Sequence, residues 1–147
     1  MIYISHRGNV NQKNLEYENT VEYIDNAIDQ GFDVEIDLWY LNYNFYLGHD
    51  KPNSHVKLFW LFDNASKLWI HCKNVEAIMP LRGHEMFNFF WHQQDKVTLT
   101  SKQYIWAYPG QQPIAQSIAV LPELFNDNIS ECIGICSDII GSYRDGA

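Results

Sequence analysis

The sequence predicts an α/β domain built on a mainly parallel sheet. Short runs of β-branched and aromatic residues recur along the chain, with glycines or polar stretches between them. Some of the intervening stretches carry apolar residues at helical spacing, and strands that alternate with helices are typical of parallel sheets. The 147 residues, 46% of them hydrophobic, suffice for one domain with its own core, so residues 1–147 are interpreted as a single domain.

The first predicted strand and helix lie within residues 2–31. Residues 2–5 form a β-rich run, and Gly8 permits a sharp turn soon after it. Asn19 is placed to cap a helix, with Glu22 three positions later completing a capping box. The apolar positions of this helix are Val21, Ile24, Ala27 and Ile28. Gly31 is expected to end it.

The strands that follow are defined by alternation and by turn residues. Residues 33–39 alternate strictly, which predicts a strand, and residues 45–47 predict another before Gly48. Residues 68–73 predict a strand and residues 75–81 a short helix interrupted by Pro80. The remaining strand candidates are residues 87–92, 104–107, 117–121 and 132–136.

The composition limits the partners and the location of the protein. A formal net charge of -8 speaks against nucleic acid, because phosphate backbones are bound by basic surfaces. The N-terminus lacks the pattern of a signal peptide, and no apolar run approaches the roughly 18–20 residues of a membrane span. The three cysteines lack a tight spacing and indicate reduced thiols. These features predict a cytoplasmic protein.

Glu35 and Asp37 are the first candidate site residues. They are two positions apart on a predicted strand, so both side chains leave the same face. Adjacent carboxylates repel each other unless a cation lies between them, and oxygen ligands suit magnesium, calcium or manganese. The alternative interpretation is an exposed strand face with solvated charges, and the motif alone favours neither.

His71 and Lys73 repeat the same spacing on a later predicted strand. A histidine can ligate a metal, and a lysine can hold a phosphate oxygen as a point charge. Taken alone, the pair is better explained as a hydrogen-bonded core histidine and a lysine at a strand end.

His6 and His49 each follow a predicted strand and precede a turn, and α/β barrels carry catalytic groups at strand ends. Because histidine titrates near neutral pH, a pair can take a proton from a nucleophile and give one to a leaving group. Arg7 adds a guanidinium group suited to phosphate. The chain has four other histidines, so the presence of two is not in itself evidence of an acid–base pair. They are His55, His71, His84 and His92.

In residue type, order and approximate spacing, these pieces resemble the signature of the glycerophosphodiester phosphodiesterase family. The matching stretches are His6-Arg7-Gly8, Glu18-Asn19-Thr20, Glu35-Ile36-Asp37 and His49-Asp50. The resemblance implies a TIM-barrel-type fold, a divalent metal and hydrolysis of a phosphodiester. It also implies that His6 and His49 form the acid–base pair and that Arg7 and Lys73 bind the substrate phosphate.

The resemblance further implies a metal site formed by Glu35 and Asp37, with Glu18 in or beside the metal shell. Where the family carries Glu-x-Lys on its third strand, this chain has His71-Cys72-Lys73, so the third ligand would be His71. Magnesium is the expected cation, with calcium and manganese as alternatives. Residues 134–138 resemble the last strand of the family, where Asp138 is expected to have a structural role.

The length of the chain argues for a modified fold. A complete (β/α)₈ barrel takes about 250 residues and one βαβ unit about 30, so 147 residues predict a reduced TIM-barrel-like (β/α) barrel with several helices shortened or missing. The aromatic clusters at residues 59–62 and 89–91 are expected mostly in the core. The alternative for them is a subunit interface, which leaves a homodimer open.

The function expected from these residues is metal-dependent hydrolysis of a small-molecule or lipid-headgroup phosphodiester by two histidines. Two alternatives are kept. One is a phosphodiesterase-like lyase that stops at a cyclic phosphate. The other is a catalytically silent barrel that binds a phosphorylated ligand, although two intact histidines argue against it because a binding protein needs no proton shuttle.

Overall fold

The computed structural model describes residues 1–146, which form ten strands and four short α-helices. The strands are β1 (Ile2–His6), β2 (Asp33–Leu41), β3 (Asn44–Leu47), β4 (Ser54–Val56), β5 (Leu68–Cys72), β6 (Asn88–Trp91), β7 (Val97–Leu99), β8 (Ile105–Ala107), β9 (Ser117–Val120) and β10 (Gly134–Ser137). The helices are α1 (Val21–Asp29), α2 (Leu58–Asp63), α3 (Val75–Leu81) and α4 (Ile140–Asp145), with 3₁₀ turns at Ala65–Lys67 and Pro122–Leu124.

All ten strands belong to one mixed sheet. Its central path is parallel and runs in the order β6-β5-β2-β1-β10-β9-β8. Antiparallel strands extend it: β3 pairs with the second half of β2, β4 pairs with β3, and β7 pairs with β8. The rings of Phe90 in β6 and Trp106 in β8 lie 4.7 Å apart, so the two ends of the parallel path curl towards each other.

The prediction of a reduced (β/α) barrel is wrong. The sheet is a mixed half-barrel, and along residues 1–146 a helix follows only some of its strands. The physical reason is the length of the connections. Residues 108–116, which join β8 to β9, are fewer than the roughly 10–12 residues that a helical crossover takes. Strands β3, β4 and β7 occupy stretches where a barrel of this type would place helices.

The predicted helix cap at Asn19 is also wrong. Helix α1 begins at Val21 after Thr20, and no side chain caps it. Asn19 instead adopts the left-handed conformation, with φ of 58°. Its side-chain Nδ2 donates to Oδ2 of Asp37 at 2.9 Å, and its side-chain Oδ1 accepts from the backbone N–H of Asp37 at 3.1 Å. A buried carboxylate therefore holds the side chain that sequence pattern assigned to the helix.

Several short elements were not predicted, because their residue patterns do not distinguish a helix or strand from a loop. Helix α2 is a continuous apolar run without a capping side chain, and β4 and β7 have only three residues each. Helix α4 also follows the last predicted strand without a polar cap. Helix α3, in contrast, spans Val75–Leu81 as predicted, with Pro80 inside it.

Two apolar clusters lie on the two faces of the sheet. The first packs beneath the helices and includes Ile24, Val34, Ile36, Leu61, Ile70 and Leu81. The second lies on the opposite face and includes Ile4, Trp69, Phe90, Trp106 and Ile118. Most residues of the two predicted aromatic clusters pack in these cores, whereas Phe59 and Trp91 are exposed. Ile4 and Trp69 precede His6 and His71 by two residues on their strands, so the second cluster supports the candidate site from below.

Among residues 1–146, no helix has the length and apolar character needed to cross a membrane.

Candidate active site and metal centre

Three neighbouring parallel strands bring the candidate site residues to one face of the sheet. In the register of β1 with β2, His6 lies opposite Glu35. In the register of β2 with β5, Asp37 lies opposite His71. Because side chains in register on adjacent strands share a face, these four groups converge, while Ile36 points into the first apolar cluster.

Glu35, Asp37 and His71 form a compact group of potential metal ligands. Each offers one donor atom, and the three atoms lie within 4.8 Å of one another. Nδ1 of His71 is 3.2 Å from Oδ1 of Asp37 and 3.9 Å from Oε1 of Glu35. Glu35 is 2% exposed and Asp37 is fully buried, which excludes the alternative of a solvated strand face.

The carboxylate oxygens of this group are short of partners. Oε2 of Glu35 and Oδ1 of Asp37 are buried and accept no hydrogen bond of good geometry, although Nζ of Lys73 lies 3.6 Å from the latter oxygen. A buried unsatisfied group costs about 1–3 kcal/mol, and more when it is charged. The donor set therefore fits a divalent cation, which would supply the missing partner to both oxygens.

The two carboxylates titrate in opposite directions. Burial, followed by the negative charge of Asp37, raises the pKa of Glu35 well above its usual range. Burial also opposes ionisation of Asp37, but its close contact with the ring of His71 and the charge of Arg7 outweigh burial and hold the pKa of Asp37 below its usual range. Two like charges at this spacing cannot both ionise cheaply without a cation.

The imidazole of His71 is held in one orientation. Its Nε2 donates to the backbone carbonyl of His92 at 2.7 Å, so in the neutral ring Nδ1 carries the lone pair that faces the carboxylates. The ring stacks on Phe90 with an interplanar angle of 17° and a centroid distance of 5.1 Å. Nε2 of His92 in turn donates to the carbonyl of Asp95 at 2.6 Å. This hydrogen bond lies within the loop after β6, whose His92 carbonyl accepts from His71.

The imidazole of His6 is held in one orientation by Asp138. Its Nδ1 bonds Oδ1 of Asp138 at 2.7 Å, which leaves Nε2 directed towards Glu35, 3.8 Å from Oε2. Asn9 also donates to Oδ1 of Asp138, at 2.8 Å. Burial works against ionisation of Asp138, but the hydrogen bond and the charge of His6 lower its pKa overall. Asp138 is therefore ionised at neutral pH and fixes the tautomer of His6.

Arg7 lies against the acidic residues of the site. Its Nε is 2.9 Å from Oδ2 of Asp37, and its Nη1 donates to Oε1 of Glu18 at 3.1 Å. The residue adopts a left-handed conformation with φ of 59°, which is uncommon outside glycine. The contact with Asp37 holds the guanidinium beside the candidate metal ligands, whereas Glu18 reaches them only through Arg7 and also accepts from Asn9 at 3.1 Å.

His49 stands apart from this buried group. Its side chain is 44% exposed, and its Nδ1 bonds Oδ1 of Asp50 at 2.8 Å. The loop is anchored because the backbone N–H of Gly48 donates to the carbonyl of Asp37 at 3.1 Å. His49 lines a pocket of about 570 Å³ together with His6 and Arg7. Burial, aided by the charge of Arg7, lowers the pKa of His49.

A larger cavity of about 860 Å³ lies elsewhere, between α2 and the β3–β4 hairpin, and none of the candidate site residues lines it. It is lined mostly by aromatic and apolar side chains. The smaller pocket, in contrast, is lined by both His6 and His49 and by Arg7, which contacts the buried carboxylate of Asp37.

Sequence reasoning missed the supporting residues of the site. No sequence motif marks Asn9 or the carbonyl of His92, because each forms its hydrogen bond with a residue distant along the chain. Asn9 donates to Asp138, and the carbonyl of His92 accepts from His71. Asn19 stood inside a matched motif but was assigned to a helix cap. Asp138 was expected to be structural, and the structure places it directly on His6.

No protein-family model, curated protein or solved structure matches this chain.

Proposed function

We propose that the chain is a metal-dependent phosphodiesterase that acts on a small-molecule or lipid-headgroup phosphodiester, as the resemblance to the glycerophosphodiester phosphodiesterases implies. One observation carries the proposal: a buried carboxylate pair with unpartnered oxygens lies beside a histidine whose tautomer a carboxylate fixes. A group suited to a cation, next to an oriented acid–base group, is an arrangement suited to phosphodiester cleavage.

The metal would be held by Glu35, Asp37 and His71, whose donor atoms converge. When bound, a dication supplies positive charge that neutralises the charge developing on the non-bridging phosphate oxygens. Lys73 adds a point charge at the same place, since its Nζ lies 3.6 Å from Oδ1 of Asp37. Arg7 has five N–H donors, and those not directed at Asp37 and Glu18 are suited to a phosphate oxygen.

The proton transfers belong to His6 and His49, which line the same pocket. One histidine removes the proton from the nucleophile, either water or a neighbouring substrate hydroxyl, as the new P–O bond forms. The other gives a proton to the alkoxide that leaves as the old P–O bond breaks. Asp138 stabilises the imidazolium of His6 at either stage, because it remains a carboxylate hydrogen-bonded to Nδ1.

The nucleophile decides the product. Attack by water gives a phosphomonoester and an alcohol, whereas attack by a substrate hydroxyl gives a cyclic phosphate first. The same proposal places the enzyme in the cytoplasm, which the three free and buried cysteines support.

The decisive experiment is a panel of glycerophosphodiesters incubated with the protein and added Mg²⁺, Ca²⁺, Mn²⁺ or Zn²⁺, followed by phosphorus NMR. We expect a phosphomonoester product; a cyclic phosphate as the only product identifies the lyase alternative. His6→Asn and His49→Asn should each lower kcat by roughly 10²–10⁴-fold. His84→Asn is the matched control, because His84 is exposed and lies outside the pocket.

Absence of turnover with every cation and substrate would contradict the proposal. If calorimetry then detects phosphodiester binding, the silent binding protein is the remaining interpretation. Equal turnover in wild type, His6→Asn and His49→Asn would show that the acid–base pair lies elsewhere.

A further inference from the structure

We infer that His71 makes this centre selective for a nitrogen-accepting dication of the Zn²⁺ class over Mg²⁺ and Ca²⁺. The inference rests on the metal centre of the proposed function and departs from the magnesium expected from the sequence.

The donor set is the first argument. The three converging groups offer two carboxylate oxygens and one imidazole nitrogen. Calcium takes six to eight oxygen ligands, and magnesium prefers an octahedron of oxygens with several retained waters. Zinc accepts imidazole readily, and its catalytic sites use three protein ligands with one position left open. Glu35, Asp37 and His71 match the zinc pattern in both number and chemistry.

The orientation of His71 is the second argument. The hydrogen bond from Nε2 to the carbonyl of His92, at 2.7 Å, commits the lone pair of the neutral ring to Nδ1. Stacking on Phe90 fixes the plane of the ring. Such outer contacts on a ligand histidine are typical of transition-metal sites, where they orient the ring and raise its basicity. The nitrogen donor is therefore preorganised before any ion arrives.

The local charge is the third argument. Nε of Arg7 and Nζ of Lys73 lie 2.9 Å and 3.6 Å from the two oxygens of Asp37. Their positive charges weaken the field that draws a hard cation, which binds mainly through charge on oxygen ligands. A covalent contribution from imidazole nitrogen compensates for this loss in zinc but not in magnesium or calcium.

The test measures dissociation constants by calorimetry for Zn²⁺, Mn²⁺, Mg²⁺ and Ca²⁺ with the wild type and His71→Glu. We expect Zn²⁺ to bind the wild type most tightly. In His71→Glu the ratio of the Mg²⁺ to the Zn²⁺ dissociation constant should fall by about tenfold or more, since oxygen replaces nitrogen. His55→Glu adds the same charge at an exposed histidine and should leave the ratio unchanged. An unchanged ratio in His71→Glu overturns the inference.

A second measurement needs no variant. In protein with ¹⁵N-labelled histidine, Zn²⁺ should shift the Nδ1 resonance of His71 while Nε2 stays protonated, and Mg²⁺ should not. Shifts confined to exposed histidines such as His55 would show surface binding and overturn the inference. Circular dichroism tests whether His71→Glu is folded. If the variant is unfolded, the NMR measurement on the wild type decides the inference.

The two hypotheses fail in different ways. If the wild type shows no preference for Zn²⁺ but its phosphodiester turnover depends on His6, the zinc inference is wrong and the proposed phosphodiesterase activity stands. Zinc bound at His71 without turnover of any phosphodiester removes the proposed activity and leaves the inference standing. Failure of every dication to bind contradicts both.

Discussion

Glu35→Gln should stabilise the metal-free protein while abolishing tight metal binding. Glu35 is 2% exposed, its Oε2 has no hydrogen-bond partner, and the carboxylate of Asp37 shares its face of β2. Burial, followed by that neighbouring charge, raises the pKa of Glu35 well above its usual range. The neutral amide of glutamine has nearly the same shape as the protonated acid, but it is never charged.

The magnitude follows from the unpartnered oxygen. Removing a buried unsatisfied carboxyl oxygen is worth about 1–3 kcal/mol. For a domain of this size, each kcal/mol changes the melting temperature by roughly 2–4 °C. Because the folded pKa of Glu35 is raised, its contribution to stability is fully present below the unfolded pKa and is lost as pH rises through the folded pKa. The advantage of Glu35→Gln should therefore grow as pH rises from 4 towards neutrality.

The assay is thermal unfolding in chelator and in excess Zn²⁺, at pH values from about 4 to 7. In chelator at neutral pH the variant should melt several degrees above the wild type. At a concentration 100 times the dissociation constant, a ligand stabilises the folded state by about 2.7 kcal/mol, so excess Zn²⁺ should reverse the order. Glu22→Gln, at an exposed position of α1, is the control and should change stability by less than about 0.5 kcal/mol. A lower melting temperature for Glu35→Gln in chelator would refute the reasoning.

Three further predictions concern neighbouring groups. Asp138→Asn should lower turnover by roughly 10²–10⁴-fold with little change in substrate affinity, because Nδ1 of His6 loses its charged acceptor; steady-state kinetics measures both, and a change confined to KM would contradict the positioning role. Asn19→Ala should destabilise the fold by about 1–3 kcal/mol in urea titration, since Asp37 loses two hydrogen bonds; a loss below about 0.5 kcal/mol would show that these two hydrogen bonds contribute little to stability. Burial raises the pKa of Cys72 to about 12, so the thiol should stay protonated at pH 8 and react with a disulfide reagent only after unfolding; fast labelling of Cys72 in the native protein would show that it is accessible.

The sequence by itself determined the strand faces on which the site depends. Strict alternation in residues 33–39 places Glu35 and Asp37 on one face whatever the rest of the chain does, because side chains of a strand alternate every residue. The same local rule places His71 and Lys73 together. The structure brings one donor atom each of Glu35, Asp37 and His71 within 4.8 Å of one another.

The tertiary structure alone decided the partners of the polar side chains. Asn19 suits a helix cap, and Arg7 suits a phosphate, yet in the fold both contact the carboxylate of Asp37. Asp138 reaches His6 across almost the whole length of the chain. Local pattern cannot rank such choices, because the free energy of satisfying a buried charge exceeds the preferences that short motifs express.

The architecture was also decided beyond the local sequence. Most strands were predictable from composition and alternation, but their arrangement as a mixed half-barrel depends on which edges pair. The short connections after β3 and β7 allow antiparallel partners, and residues 108–116 join the parallel neighbours β8 and β9 without a helix. Local residues therefore determine which side chains face the pocket, and long-range pairing determines the sheet that holds them.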